Sequence, residues 1–159
     1  MIPYVFPFGV FIILIVLRRA PAIASRYTVS DAAAWSLVPL LVLTGGAHFV
    51  GLREDLIRMV PPFFPRPDLW VTVTGVLELA GAAGLMIRRF RFAAGVALAL
   101  LFVALLPANI HAARHGFTLG GKPVTPLVWR IPQQMVYIAL ALGAALGARS
   151  QSAPPLREK

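Results

Sequence analysis

An all-α protein, a polytopic bundle of membrane helices, is the fold class this sequence predicts, and three observations predict it. Of its 159 residues 58% are hydrophobic and only 13% charged, against about 25% charged in a soluble domain, and its mean hydropathy is +0.79. The apolar residues are gathered into five runs, most of them near the 20 or so residues that a hydrocarbon core of about 30 Å requires. The net charge of +9 comes from basic residues at the ends of those runs, where they set orientation and meet lipid headgroups. That placement argues against nucleic acid as a partner and for the lipid bilayer.

The first run, 2–17, carries Pro3 and Pro7 near its start and ends at Arg18-Arg19. Its positive charge follows the apolar stretch, whereas a secretory signal has it in front, so the run reads as a retained transmembrane anchor with the N-terminus outside. The second run, 32–51, follows Thr28-Val29-Ser30-Asp31, residue types that cap helix N-termini. The third, 69–87, and the fourth, 92–112, are joined only by Arg88-Arg89-Phe90-Arg91 and are therefore antiparallel neighbours. The fifth, 128–147, precedes a polar tail with Pro154-Pro155. Residues 1–150 thus form a single transmembrane domain, and 151–159 read as disordered.

With an outside N-terminus, nine basic residues fall inside (Arg18, Arg19, Arg26, Arg88, Arg89, Arg91, Arg149, Arg157, Lys159) and six outside (Arg53, Arg58, Arg66, Arg114, Lys122, Arg130). The C-terminus is then inside, as the positive-inside rule favours. The outer connector 52–68 mixes apolar residues with Pro61, Pro62, Pro65 and Pro67 and is expected at the interface. The second connector, 116–126, reads as turns. Ala139, Gly143 and Gly147, and Ala80 with Gly84, have the four-residue spacing that brings membrane helices close, although Ala and Gly are common throughout the chain.

Against this apolar background a few polar residues stand out. Glu78 lies nine residues past Leu69, roughly 14 Å deep and near the midplane, where an ionisable group needs a partner, a cavity or a neutral form. His48, Asn109, His111, Arg130, Gln133 and Gln134 gather at the outer ends of the helices, with Pro107 and Pro132 beside them to loosen backbone carbonyls. Arg130 is the expected charged partner of Glu78, a carboxyl that either exchanges protons or locks helices together. His111 and His115 are four residues apart, but without a nearby carboxylate a three-histidine metal site with His48 is not expected. Cysteine is absent, which excludes thiolate, disulfide and iron–sulfur chemistry, so electrons would have to come from a cofactor, a quinone or a partner.

The strings GAHFVGL, PPFFP, GVLELAG, LLPANIHAA and WRIPQQ, in this order between Gly45 and Leu142, resemble the DoxX-like membrane proteins. The resemblance implies a four-helix core made of runs two to five, with the first run at its edge, in a bacterial cytoplasmic membrane. It also implies a polar signature of His48, Glu78, Pro107, Asn109, Arg130, Pro132 and Gln133. Relatives include a membrane subunit associated with thiosulfate:quinone oxidation and proteins linked to oxidative-stress complexes.

Two function classes follow. In the first, the chain is a redox-associated subunit, with a redox partner protein and not an autonomous enzyme. It binds a quinone-type or other amphiphilic ligand in a pocket near the outer leaflet, roofed by the loop 61–67. There Glu78 and His48 exchange protons while Asn109, His111, Arg130, Gln133 and Gln134 hold the ligand. In the second, the same residues serve a non-enzymatic lipid-binding, solute-binding, transport or assembly protein. A homo-oligomer is compatible with both.

Overall fold

The computed structural model describes residues 2–17, 19 and 27–151. Its elements are α1 (Ile2–Leu17), α2 (Val29–Ala47), α3 (Arg53–Met59), α4 (Pro67–Met86), α5 (Arg88–Arg114), the two-stranded hairpin β1 (Thr118–Leu119) and β2 (Lys122–Pro123), and α6 (Leu127–Gln151). Residues 152–159 of the expected tail lie outside the described residues, as do Arg18, Arg26, Arg157 and Lys159 of the charge count.

Each long helix has a local reason to begin where it does. Thr28 caps α2: the Asp31 backbone N–H donates to Thr28 Oγ1 at 3.2 Å and the Thr28 backbone N–H donates to Asp31 Oδ2 at 2.8 Å. This reciprocal box satisfies two donors that a helix start otherwise leaves open. It also starts the helix three residues before the expected 32. Pro67 opens α4, its missing N–H costing nothing in a first turn. The connector expected at 88–91 is the first turn of α5, with Ile87 alone breaking the chain direction between α4 and α5. Arginine is a good helix former, so charge marked a membrane boundary there without marking a helix end.

The four long helices close a ring. α2 packs on α4 and α6, and α5 packs on the same two, while α1 lies outside against α2 and touches α6. The core runs through Leu37, Leu41, Leu85, Leu98, Phe102, Tyr137, Leu140, Ala141 and Ala144. These helices are long and apolar enough to cross a membrane: Val29–Ala47, Pro67–Met86, Arg88–Arg114 and Leu127–Ala148. Of their most apolar stretches, 56% is buried in α2 but only 22% in α5. Leu43, Leu100, Met135 and Leu146 are each exposed by 60% or more, an apolar exterior that a chain folded in water avoids. The sixteen residues of α1 extend roughly 24 Å, less than a core of about 30 Å.

Glycines set the helix spacing. A Cβ on Gly95 would lie 2.5 Å from the Ala141 carbonyl oxygen, and one on Gly147 would lie 2.5 Å from Ser30 Cβ. Of the small residues expected at contacts, Gly147 and Gly84 are at one, Gly84 against Ala94. Ala139 and Ala80 instead face outward. Two pieces absent from the sequence reading cover the end of the bundle that carries Arg130: the short helix α3, packed on α4 and α5, and the hairpin pairing Thr118 with Pro123 and Leu119 with Lys122.

Candidate functional site

Close approach of α2 and α4 builds the site. A Cβ on Gly75 would lie 2.5 Å from His48 Cβ, and one on Gly45 would lie 3.2 Å from Glu78 Cβ. Only glycine at both positions lets these backbones come near enough for α2 to reach Glu78. The Glu78 side chain is buried, and the Thr44 hydroxyl donates to its Oε2. One turn on, His48 Nδ1 lies 2.8 Å from the Thr44 carbonyl. A carbonyl oxygen only accepts, so Nδ1 carries a proton.

A second strand of the network comes from α6. The charges that act on the Glu78 carboxyl belong to His48 and Arg130. Arg130 Nη1 donates to Gln133 Oε1 at 3.4 Å, and Gln133 Nε2 donates to the Tyr137 hydroxyl. Gln134 Nε2 donates to the Phe102 carbonyl of α5, while its buried Oε1 has no hydrogen-bond partner among the described residues. An apolar bundle thus holds two hydrogen-bonded polar groups, Glu78 with Thr44 and His48 from α4 and the end of α2, and Arg130 with Gln133 and Tyr137 from α6, each costly to bury unless paired.

Not every expected residue joins it. Asn109 Nδ2 donates to the Leu105 carbonyl of its own helix at 2.9 Å. His111 Nδ1 donates to the Met59 carbonyl of α3 at 3.1 Å. The rings of His111 and His115 lie 4.3 Å apart, and among the described residues no group of three or more His, Cys, Asp or Glu is placed to hold a metal. Two depressions mark the surface. One of about 220 Å³ lies beside Arg58, Phe117 and Thr118; the other, of about 320 Å³, is an apolar groove between α4 and α5 beside Leu77, Ala80 and Leu98. Neither is lined by His48, Glu78, Asn109, Arg130 or Gln133.

Sequence reasoning missed Thr44, Arg53 and the pairing of Asp31 with Arg91. Arg53 donates to the His48 carbonyl at 3.1 Å, to Thr72 Oγ1 at 3.0 Å and to the Asp68 carbonyl at 3.2 Å, closing the end of α2 against the start of α4. At the opposite end of the bundle, Arg91 Nη1 donates to Asp31 Oδ1 at 2.5 Å and its Nε to the Leu85 carbonyl at 2.9 Å. Arg88 lies 3.6 Å from the same carboxylate. One buried guanidinium therefore joins the start of α2, the end of α4 and its own helix. The signal was present in the sequence: an acid in a capping position facing an arginine cluster that has no acid of its own.

At the capped end, Asp55 of α3 accepts from the Gly120 backbone N–H at 2.7 Å and pairs with Arg58. The Gly120 hydrogen bond, helped by Arg58, holds the Asp55 carboxyl below the usual carboxylate range.

Four helices long and apolar enough to cross a membrane, packed around buried polar side chains, make a mostly helical bundle of the kind expected for an integral membrane protein. A family model described as Domain of unknown function (DUF8561) matches residues 37–145, from within α2 to within α6, and the chain belongs to that family. No curated protein and no solved structure matches it.

Proposed function

We propose that this chain is an integral protein of a bacterial cytoplasmic membrane with a DoxX-like core of α2, α4, α5 and α6, and that it serves as a redox-associated subunit. In this reading its buried polar network holds the polar end of an amphiphilic, quinone-type ligand. The observation that carries it is Glu78, a buried carboxyl enclosed among helices that accepts a hydrogen bond from the Thr44 hydroxyl, with the basic groups of His48 and Arg130 in its wider surroundings. An ionisable group in such a place is a functional-site hypothesis in its own right. Reduction of a quinone takes up protons at its oxygens, and Glu78 and His48 are the groups able to exchange them. The electrons come from a partner, because the chain has no cysteine and no cofactor-attachment motif. A second reading, a non-enzymatic binding or assembly protein, is favoured by one observation: neither surface depression opens onto the polar side chains.

Native mass spectrometry of the detergent-purified protein, followed by extraction and identification of co-purifying lipid, separates the two. The first reading expects a quinone bound to the wild type and depleted by at least about tenfold in Glu78→Gln, a variant that keeps size and hydrogen bonding. Phospholipid alone, or no ligand, in a folded wild type establishes the second.

A further inference from the structure

We propose that His111 and His115 form a two-histidine seat for a divalent transition metal, of which copper(II) is the best fit, at the end of the bundle capped by α3. The argument starts from hydrogen positions. His111 Nδ1 faces the Met59 carbonyl at 3.1 Å, and His115 Nδ1 faces the His111 carbonyl at 2.8 Å. Both acceptors lack a proton, so both rings carry hydrogen on Nδ1 and present a lone pair at Nε2. No hydrogen bond from another described residue engages either Nε2. Metal-binding histidines are prepared in this way, since an N–H bonded to a backbone carbonyl fixes the tautomer, aims the ring and raises its basicity.

The spacing of the rings points to the ion. A metal about 2.1 Å from a ring nitrogen lies roughly 3.2 Å from that ring's centre. A single ion held by both Nε2 atoms would see centres 4.3 Å apart at roughly 85°, close to the 90° between adjacent positions of a tetragonal site. Tetrahedral zinc would prefer rings farther apart. Copper(II) prefers tetragonal nitrogen and oxygen ligands and heads the affinity order among divalent first-row ions. Water would fill the remaining positions, because His115 is exposed and His111 partly so.

Three local features hold the pair ready. His115 is the C-cap of α5, Gly116 follows with φ +64, and the Phe117 backbone N–H donates to the Ala112 carbonyl at 3.1 Å. The left-handed glycine turns the chain back so that Phe117 packs against both imidazoles, at 5.4 Å from His111 and 5.8 Å from His115. The ring of His111 is further fixed by its bond to α3. Two ligands from one helix end, immobilised before the ion arrives, lose little freedom on binding it.

The test uses tag-free, full-length protein in detergent, titrated with copper(II) in a buffer that does not coordinate the metal. The expected result is one copper(II) per chain, with an electron paramagnetic resonance spectrum showing coupling to two imidazole nitrogens. His115→Asn should weaken binding by about tenfold or more and remove one coupling. That residue is exposed, and its side chain bonds only the backbone of its own helix, so the variant tests the ligand without challenging the fold. His111→Gln should remove the other coupling, with circular dichroism confirming the helices. Copper bound with unchanged affinity in folded His115→Asn, as it would be at the chain's amino terminus, overturns the proposal. Absence of stoichiometric binding to the wild type does the same.

Discussion

Glu78 and Asp31 are both acids buried within apolar helices, and the residues around them give them opposite characters. Asp31 is held by Arg91 at 2.5 Å, with Arg88 and Thr28 behind it, so its charge is neutralised on the spot. Glu78 has a hydroxyl as its direct hydrogen-bond partner and basic groups as its wider surroundings. Glu78 was legible from sequence because a lone carboxyl in the middle of an apolar run has no bland local explanation. The second task of Asp31 was overlooked, because its position at a helix start already accounted for it and its partner is 60 residues away, although the acid-free arginine cluster signalled it. Thr44 was equally hidden, since a threonine in a membrane helix commonly bonds its own backbone, as this one also does to Leu40. Asp31→Ala should strand Arg91 and destabilise the bundle by about 3–5 kcal/mol. Asp31→Ala combined with Arg91→Met should cost less than the single change, because no charge is left without a counterpart. Thermal unfolding of both variants in one detergent checks the order, and a double variant no more stable than the single would mean that the pair is not what joins these helix ends.

At the scale of elements, hydropathy located the four long helices because length and apolarity suffice to define a span, and also the shorter α1; its errors fall where other forces set the boundary. Thr28 begins α2 early by capping, and Arg88 to Arg91 wind into α5 because arginine favours helix. The helix α3 and the hairpin were not legible from apolarity, being too short to leave a periodic signature. Small residues were found at the right spacing in part only, because the facing residue decides which of them becomes a contact. Gly95 sits under the Ala141 carbonyl and Ala145, whereas Ala139 meets lipid-facing space. Gly95→Leu should therefore wedge α5 from α6 and cost about 1–3 kcal/mol or more, while Ala139→Leu should be nearly neutral; equal effects in unfolding assays would contradict this packing. The latch between α3 and the hairpin carries its own pH dependence. Asp55 is held below the usual carboxylate range when folded, so its contribution is fully present above the ordinary carboxylate range and disappears as pH falls through the lowered one. Amide exchange at Gly120 should accelerate over that acid interval beyond the intrinsic pH trend, and Asp55→Asn should abolish the extra acceleration.

At the scale of the whole molecule, the pairing of the basic residues at the two ends of the bundle bears on orientation. The end where α4 meets α5 exposes Arg88 and Arg89, and Asp31 is the acid buried there. Arg91 no longer counts there, since it is consumed in the pair with Asp31. At the other end Arg53 bonds backbone and Thr72, and Arg58 pairs with Asp55. Arg88 reaches the same Asp31 carboxylate, and the other end exposes Arg66, Arg114 and Lys122, so the prediction that the α4–α5 turn faces the cytoplasm rests on the sequence count of nine basic residues against six under the positive-inside rule. The native chain has no cysteine, so single cysteines report orientation without background. A cysteine replacing Arg89 should resist an impermeant thiol reagent in intact cells and react after permeabilisation, whereas one replacing Gly121, in the hairpin turn, should react in both conditions. The reverse pattern would invert the bundle and carry His111 and His115 to the cytoplasmic side. It would trace to α1, whose length of roughly 24 Å makes it the span that fails first if the bilayer core is about 30 Å thick.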